Sequence, residues 1–431
     1  MGHLDAADIA HIRERLAATW DRLTPDNRVP NQILGRKRVI GCVSLEVTQR
    51  CNFDCAICYL SENSEGTPDL PLSHILERVD RIHADYGKGT NVQISGGDPT
   101  LRDEDELEAI VRHTTERGLV PSLFTNGDLA SRRLLERLTR VGLADVAFHV
   151  DLTEKRKGYK SEESLCEVRQ EYIERARGLP LNVIFNQTVY KKNFPEVPLL
   201  VDFYKRNADV VGMASFQLQA DTGRGANRRR DDQVISIETV GRKIEEGLGV
   251  PLSWDAVRVG SPKCHKIAYA AIVDPKGRAH AVDILDDPKV VGDLLDTYDD
   301  IFFDRRHPRR AAAKAVVEAV RRRYVGKGLA HFGRHVRANW RPLVRGRGRV
   351  HKLSFFMQNF QDATALDHER IDNCSFHCMT ADGGVSMCVH NAYRDHYIKG
   401  GCGYPAAYQD SRTRDGFHPT DAGRMPAQAA K

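Results

Sequence analysis

Val39-Ile-Gly-Cys-Val-Ser-Leu-Glu-Val47, then Thr-Gln-Arg, then Cys51-Asn-Phe-Asp-Cys55-Ala-Ile-Cys58-Tyr59: the reading of the fold turns on this stretch. Its first part is an apolar run of strand length, which reads as a buried strand. The loop that follows places three thiols within eight residues. A C-x3-C-x2-C spacing lets one turn of irregular backbone aim three sulfurs at one centre, and thiolates are the ligands of a soft iron–sulfur cluster. Because only three ligands are local, a cubane [4Fe–4S] cluster held here keeps one iron open, and an open position is where a substrate or cofactor binds metal directly. Zinc is the competing reading, but zinc sites usually pair C-x2-C knuckles, and no second knuckle follows at finger-like spacing. A disulfide, the other alternative, is disfavoured in a chain without a secretion signal.

Outward from the loop, composition sets the frame. A chain of 431 residues, 41% hydrophobic and 29% charged, has room for a large core and two or three domains and is globular except at its ends. No run of eighteen apolar residues occurs, and Met1–Arg28 is charged and amphipathic without an apolar signal core. A cytoplasmic enzyme is the resulting expectation. The ten cysteines read as ligands more readily than as disulfides. Cys51, Cys55 and Cys58 form one group, and Cys374, Cys378 and Cys388 a second, with Cys402 beyond it. Cys42 reads as a small core residue and Cys166 as idle on a polar helix.

Apolar spacing predicts a helix over 9–23, stopped by Pro25, Pro30 and Gly35. Strands are expected at 39–47, 91–94, 120–124, 146–150, 181–189 and 211–218. Helices alternate with them at 72–86, 104–117, 130–141, 164–177 and 197–205. Such alternation argues for an α/β protein with a parallel sheet covered by helices, its active residues at the C-terminal ends of the strands. Periodicity alone leaves a doubly wound sheet open. After Gly223 comes a Gly/Arg-rich link, Arg224–Arg230, then a helix over 234–248 and a hairpin over 268–282 around Pro275-Lys276-Gly277.

A second motif, Gly96-Gly97-Asp98-Pro99-Thr100, follows the strand at 91–94; alone it is an ordinary strand–helix turn. With Cys51-x3-Cys55-x2-Cys58 and the aromatic Tyr59, it resembles the signature of the radical S-adenosylmethionine (SAM) enzymes, whose usual motif here is Gly-Gly-Glu-Pro. The resemblance implies a partial (β/α)6 barrel of the radical SAM type. It also implies that the open iron chelates the amino and carboxylate groups of SAM, and that reductive cleavage yields a 5′-deoxyadenosyl radical. Gly96, Gly97, Asp98 and Pro99 would hold the methionine end, glycines letting backbone approach the ligand; Asp98 keeps the carboxylate on a shorter arm. Asn126 and Asp151, at the next strand ends, are further expected SAM contacts, with turn and cap chemistry as their plain alternative. Gln187, Gln217 and Gln219 face SAM, substrate or solvent.

Cys374-Ser-Phe-His377-Cys378 and Cys388-Val-His390, around Asp382-Gly383-Gly384, with Cys264-His265 as a distant partner, read as an auxiliary [4Fe–4S] site, zinc being the alternative. Asp367 to Cys374, Ser386 to Asn391 and Pro262 to His265 resemble the C-terminal portion of class D radical SAM methylases and tetraether lipid synthase-like enzymes. That resemblance implies extra clusters and attack on unactivated sp3 carbon. A Ser-Cys ligand expected near Ser354-Phe-Phe-Met357 is missing; Cys378 is the substitute the sequence offers.

The resulting map is a helical extension at 1–36, the partial barrel at 37–223, a linker and the start of a C-terminal α+β module at 224–303, a basic helical region at 304–352, the auxiliary cysteine region at 353–402, and a mobile tail at 403–431. Residues 304–352 carry sixteen Lys and Arg against two acids, interleaved with Phe332, Trp340 and Leu343. This pattern suits an anionic membrane surface better than nucleic acid, for which no recognised module is present. The expected enzyme is cytoplasmic and peripheral at a membrane, and draws electrons from a reductant such as ferredoxin or flavodoxin. It abstracts hydrogen from an unactivated carbon for C–C bond formation, by methylation or chain coupling, on a lipid-like or hydrophobic substrate. The alternatives are a peptide- or small-molecule-modifying radical SAM enzyme and a non-enzymatic, zinc-stabilised RNA-binding protein.

Overall fold

The computed structural model describes residues 5–225, 234–298, 308–322 and 324–414. The chain opens with α1 (Ala6–Arg22), and then strands and helices alternate. They run β1 (Cys42–Thr48), α2 (Leu72–Tyr86), β2 (Asn91–Gly96), α3 (Glu104–Glu116), β3 (Val120–Thr125), α4 (Arg132–Arg140), β4 (Asp145–His149), α5 (Glu162–Ala176), β5 (Asn182–Val189), α6 (Val197–Arg206) and β6 (Val211–Leu218). Next come α7 (Ile237–Leu248), the hairpin β7 (His265–Val273) and β8 (His280–Asp283), and α8 (Pro288–Thr297). Three helices, α9 (Pro308–Arg321), α10 (Val325–Ala338) and α11 (Trp340–Arg345), cover the basic region. The chain continues with β9 (Val350–Asn359), α12 (His368–Asp372), β10 (Phe376–Thr380), β11 (Gly383–Ser386), α13 (Met387–Ala392), α14 (Arg394–Ile398) and α15 (Ala406–Arg414).

Period-two alternation in β1 decides which face is lumen and which is core. Val43, Leu45 and Val47 point outward and join Ile75, Val79 and Ile82 of α2, spaced along one helical face, in the main apolar core. Ser44 and Glu46 point inward. Side-chain caps set several helix starts: Ser131 caps α4 and Ser161 caps α5, so both helices begin two residues away from where apolar spacing alone placed them.

The strand order is β11-β10-β1-β2-β3-β4-β5-β6-β9-β7-β8. Strands β1 to β6 are parallel neighbours in chain order, as the alternation predicts. The C-terminal module continues the same sheet at both edges: β9 lies parallel to β6, and β10 lies parallel to β1 with Ser44 opposite Cys378. Only the outermost pairings, β10 with β11 and β7 with β9 and β8, are antiparallel. The two ends curl toward each other, for Phe356 of β9 and Phe376 of β10 have ring centroids 5.8 Å apart. The added strands satisfy edge groups that a six-stranded open barrel would expose.

The mobile tail expected at 403–431 includes described residues that are held in place. Tyr408 of α15 is buried with Ile371 and Val389, and Arg412 pairs with Asp372 at 3.0 Å, so 406–414 are anchored helix. Residues 415–431, most of the Gly/Arg-rich link and Arg323 lie outside the described residues. No helix among the described residues is long and apolar enough to cross a membrane.

Candidate active site

The side chains of β1 to β6, β9 and β10 line one open cavity, about 1400 Å3 with the solvent at its mouth included. The strands supply its polar wall, with Ser44, Glu46, Gln93, His149, Asn186 and Gln358, and part of its apolar wall. Ile57, Leu218, Phe360, Phe376 and Met387 supply apolar surface. Cys51, Cys55 and Cys58 all line this space, at the C-terminal end of β1. All ten cysteines are free thiols.

The cysteine loop is tied down on every side. Arg50 N–H donates to Thr48 Oγ1 at 3.1 Å, and Ala56 N–H donates to the Thr153 carbonyl at 2.8 Å. Asn126 Nδ2 donates to Asn52 Oδ1 at 2.7 Å, and Tyr59 hydroxyl donates to the Gly96 carbonyl at 2.6 Å. Arg224, just past β6, donates its N–H to Leu60 at 2.8 Å and reaches Asp54 and Glu65 with its guanidinium. Burial pushes the Cys51 thiol up to about 11, and pushes Cys55 higher still with help from the charges of Cys58 and Glu154. Three thiols that stay protonated in a metal-free loop and face one space form a donor set for a thiophilic centre, whose binding releases protons.

Gly96 and Gly97 border the cavity and also serve the loop itself. A Cβ at Gly96 would lie 2.0 Å from the Thr48 carbonyl oxygen, and one at Gly97 would lie 1.9 Å from that of Arg50. The glycines therefore admit the backbone of the cysteine loop rather than only clearing space for a ligand. Gly97 N–H donates to Thr48 at 2.9 Å and Asp98 N–H to Arg50 at 2.8 Å, clamping the two motifs together. Pro99 follows as the first residue of a short 3-10 turn.

Asp98 and Asp151, the expected SAM contacts, both turn their carboxylates to donors within the protein, and Asp98 also borders the cavity. Asp98 accepts from Thr100 N–H at 3.0 Å, from Thr125 Oγ1 at 2.8 Å and from Asn126 N–H at 2.7 Å, bracing the end of β2 against that of β3. Asp151 accepts from Thr153 N–H and Thr188 N–H, each at 2.7 Å, and orients His149 Nε2 at 2.8 Å. His149 lines the cavity, and Asp151 positions it from behind. Asn126 does line the cavity, beside Cys51. Gln187 points away from it, donating to Ser215 and accepting from Tyr204, whereas Gln217 and Gln219 border it.

Sequence reasoning missed a buried pair at the same mouth. Arg394 of α14 meets Glu46 Oε1 at 2.9 Å and Gln49 Oε1 at 2.8 Å and stacks over Tyr59, 4.8 Å from its ring centroid. Burial raises the Glu46 carboxyl, but Arg394 and His390 override it and hold it at about 2. A charged side chain in an otherwise apolar strand was the available signal; its partner lies over three hundred residues away.

Of the second cysteine group, Cys264, Cys374 and Cys388 are buried near one another: burial, then the charges of Cys374 and Cys264, push Cys388 up to about 12. Arg370 Nε donates to Cys264 Sγ at 3.2 Å, and Ser386 Oγ donates to Cys374 Sγ at 3.3 Å. Cys378 sits apart on β10, facing the main cavity beside Glu46. Cys42 packs in an apolar cluster with Phe356 and Phe376.

Comparison with known proteins agrees with this geometry. Residues 45–182 match the model of the radical SAM superfamily. The 7,8-dihydro-6-hydroxymethylpterin dimethyltransferase of Methanocaldococcus jannaschii is 26% identical over 209 residues, 47% of this chain and 41% of that protein. The Fe-coproporphyrin III synthase of Methanosarcina barkeri is 25% identical over 194 residues, 44% of this chain and 47% of that protein. The PqqA peptide cyclase of Rhodopseudomonas palustris is 37% identical over 108 residues, 24% of this chain and 27% of that protein. The chain thus spans under half the length of each of these relatives. Among solved structures, Streptococcus suis SuiB bound to its precursor peptide SuiA covers 50% of this chain and 49% of its own at 17% identity, with a TM-score of 0.37. Radical SAM enzymes use a [4Fe–4S] cluster and SAM, and the chain carries a radical SAM domain at residues 45–182.

Proposed function

We propose that this chain reductively cleaves SAM and abstracts hydrogen from an unactivated carbon, for C–C bond formation by methylation or chain coupling on a lipid-like or hydrophobic substrate. The observation that carries this reading is that one partly apolar cavity is bordered by the three-thiol loop, by Gly96 and Gly97, and by the C-terminal residues Phe360, Phe376 and Met387. Cys51, Cys55 and Cys58 would hold the cluster, with Asn126, Tyr59 and the Gly96–Pro99 turn beside the methionine end of SAM. When bound, the pair supplies a 5′-deoxyadenosyl radical. The chain's own part is to hold the loop rigid through Asp98, to aim His149 inward through Asp151, and to keep water from the reacting carbon with the apolar wall. Cys264, Cys374 and Cys388 would hold an auxiliary [4Fe–4S] cluster, while Cys378, the fourth thiol expected from the sequence, borders the main cavity instead. Methyl transfer is favoured by the kinship to a pterin dimethyltransferase.

The hydrophobic substrate is supported by the basic region. Val316, Val317, Val320, Phe332, Val336, Trp340 and Val344 are exposed on α9 to α11 among the arginines, a surface suited to anionic lipid headgroups. A ferredoxin- or flavodoxin-class protein would supply the electron. The test is anaerobic: cluster-loaded protein with dithionite, SAM and a total lipid extract, followed by mass spectrometry of 5′-deoxyadenosine and S-adenosylhomocysteine. Lipid-dependent formation of both products supports a methylase, and lipid-stimulated deoxyadenosine alone supports coupling. If lipid has no effect, the second reading, peptide or small-molecule modification, takes over; the 37% identity to a peptide cyclase favours it.

A further inference from the structure

We propose that Asp286, His331 and His335 form a binding site for one divalent transition-metal ion of the zinc class, separate from the sulfur ligands of the active site. The metal would join α10 to the connection between β8 and α8. His331 and His335 are one helical turn apart, so both rings stand on one face of α10, with centroids 5.1 Å apart. One ligand atom from each of the three residues lies within 4.8 Å of the others. Asp286 Oδ1 is 3.9 Å from His331 Nδ1 and 3.7 Å from His335 Nε2. A tetrahedral ion about 2.0–2.1 Å from each ligand needs them roughly 3.4 Å apart, so the two distances to Asp286 close by a few tenths of an ångström and the separation of the two imidazole nitrogens by up to about 1.4 Å.

The hydrogen bonding prepares the ligands. His331 Nε2 lies 3.1 Å from the Ile284 carbonyl oxygen, which only accepts, so this nitrogen carries the proton and leaves Nδ1, on the Asp286 side, with a lone pair to give. Arg334 Nη2 donates to that same Nδ1 at 3.2 Å. The His331 side chain is 3% exposed, and His335 Nε2 is buried and makes no hydrogen bond among the described residues. Two imidazoles and a carboxylate suit zinc, nickel or cobalt, and no thiol is involved. One cation already competes for the carboxylate: the Arg334 guanidinium is 2.9 Å from Asp286 Oδ1, with a side chain 55% exposed and room to swing into water. The adjacent face of α10 presents Phe332 and Val336 to solvent, so the ion would fix the angle at which that face is displayed.

Full-length protein with its iron–sulfur sites filled is dialysed against zinc chloride, zinc is counted by mass spectrometry, and its surroundings are read by X-ray absorption. The proposal predicts one equivalent with nitrogen and oxygen neighbours at about 2.0–2.1 Å and no sulfur shell near 2.3 Å. His335→Gln and Asp286→Asn should each weaken it by more than about tenfold. Arg334→Ala, which keeps all three ligands and frees Asp286 Oδ1 and His331 Nδ1 from the guanidinium, should tighten it by about two- to fivefold, the weight of an exposed ion pair. A zinc shell of sulfur, unchanged binding in His335→Gln, or weaker binding in Arg334→Ala would overturn the site.

Discussion

At Gly97 there is no room for a side chain, because the Arg50 carbonyl oxygen would lie 1.9 Å from a Cβ. Gly97→Ala must therefore push the cysteine loop off β2, and we expect a loss of about 3 kcal/mol, visible as a lowered thermal midpoint together with reduced iron loading. An unchanged midpoint would mean the two motifs are not clamped by contact. Asp98→Ala strips acceptors from Thr125 and from the Asn126 N–H, at about 1–3 kcal/mol for each buried group left unpaired; equilibrium denaturation measures it. The cysteine spacing was legible because all three ligands lie in one local stretch. The cap role of Asp151 was legible as the alternative to a SAM contact; the cross-strand partners of Asp98 and Asp151 were not, since Thr125, Asn126 and Thr188 lie on or beside neighbouring strands and a polar residue at a strand end looks the same whether it faces a ligand or the next strand's N–H groups.

Among elements, one carboxylate pins the turn of the β7–β8 hairpin, whose strand β7 already pairs with β9, to the end of α5. Asp209 takes Arg177 at 2.7 Å and, from the hairpin turn, Lys276 at 3.2 Å. Burial would raise its pKa, but these two cations hold it below the ordinary carboxyl value. A depressed folded pKa contributes stability above the unfolded value, and that stability is lost as pH falls through the folded one. Asp209→Asn should cost about 1 kcal/mol near neutrality, discounted for partial exposure, and the gap to wild type should close toward about pH 3. Urea melts at both pH values test this, and a gap that widens in acid would contradict it. The six strands and their helices were readable from periodicity, because apolar alternation and caps are local. The pairing of β9 with β6 and of β10 with β1 was not, because edge partners are chosen in three dimensions.

For the whole molecule, charge is unevenly placed: residues 304–352 hold an excess of fourteen positive charges in a chain of net +5, so the remainder is net negative. Basic helices with exposed Phe332 and Trp340 should partition to anionic vesicles and not to neutral ones. Replacing both aromatics with Ala should weaken partitioning by at least about tenfold, since each buries apolar area in the lipid boundary. Equal flotation with both vesicle types would remove the membrane from the account. Its centre remains the loop at Cys51–Cys58, and the most direct measurement is anaerobic SAM cleavage by cluster-loaded protein under dithionite, wild type beside Cys55→Ala. The account predicts 5′-deoxyadenosine from wild type and none from the variant. Cleavage that survives in Cys55→Ala, or none from wild-type protein shown to hold its cluster, would contradict it.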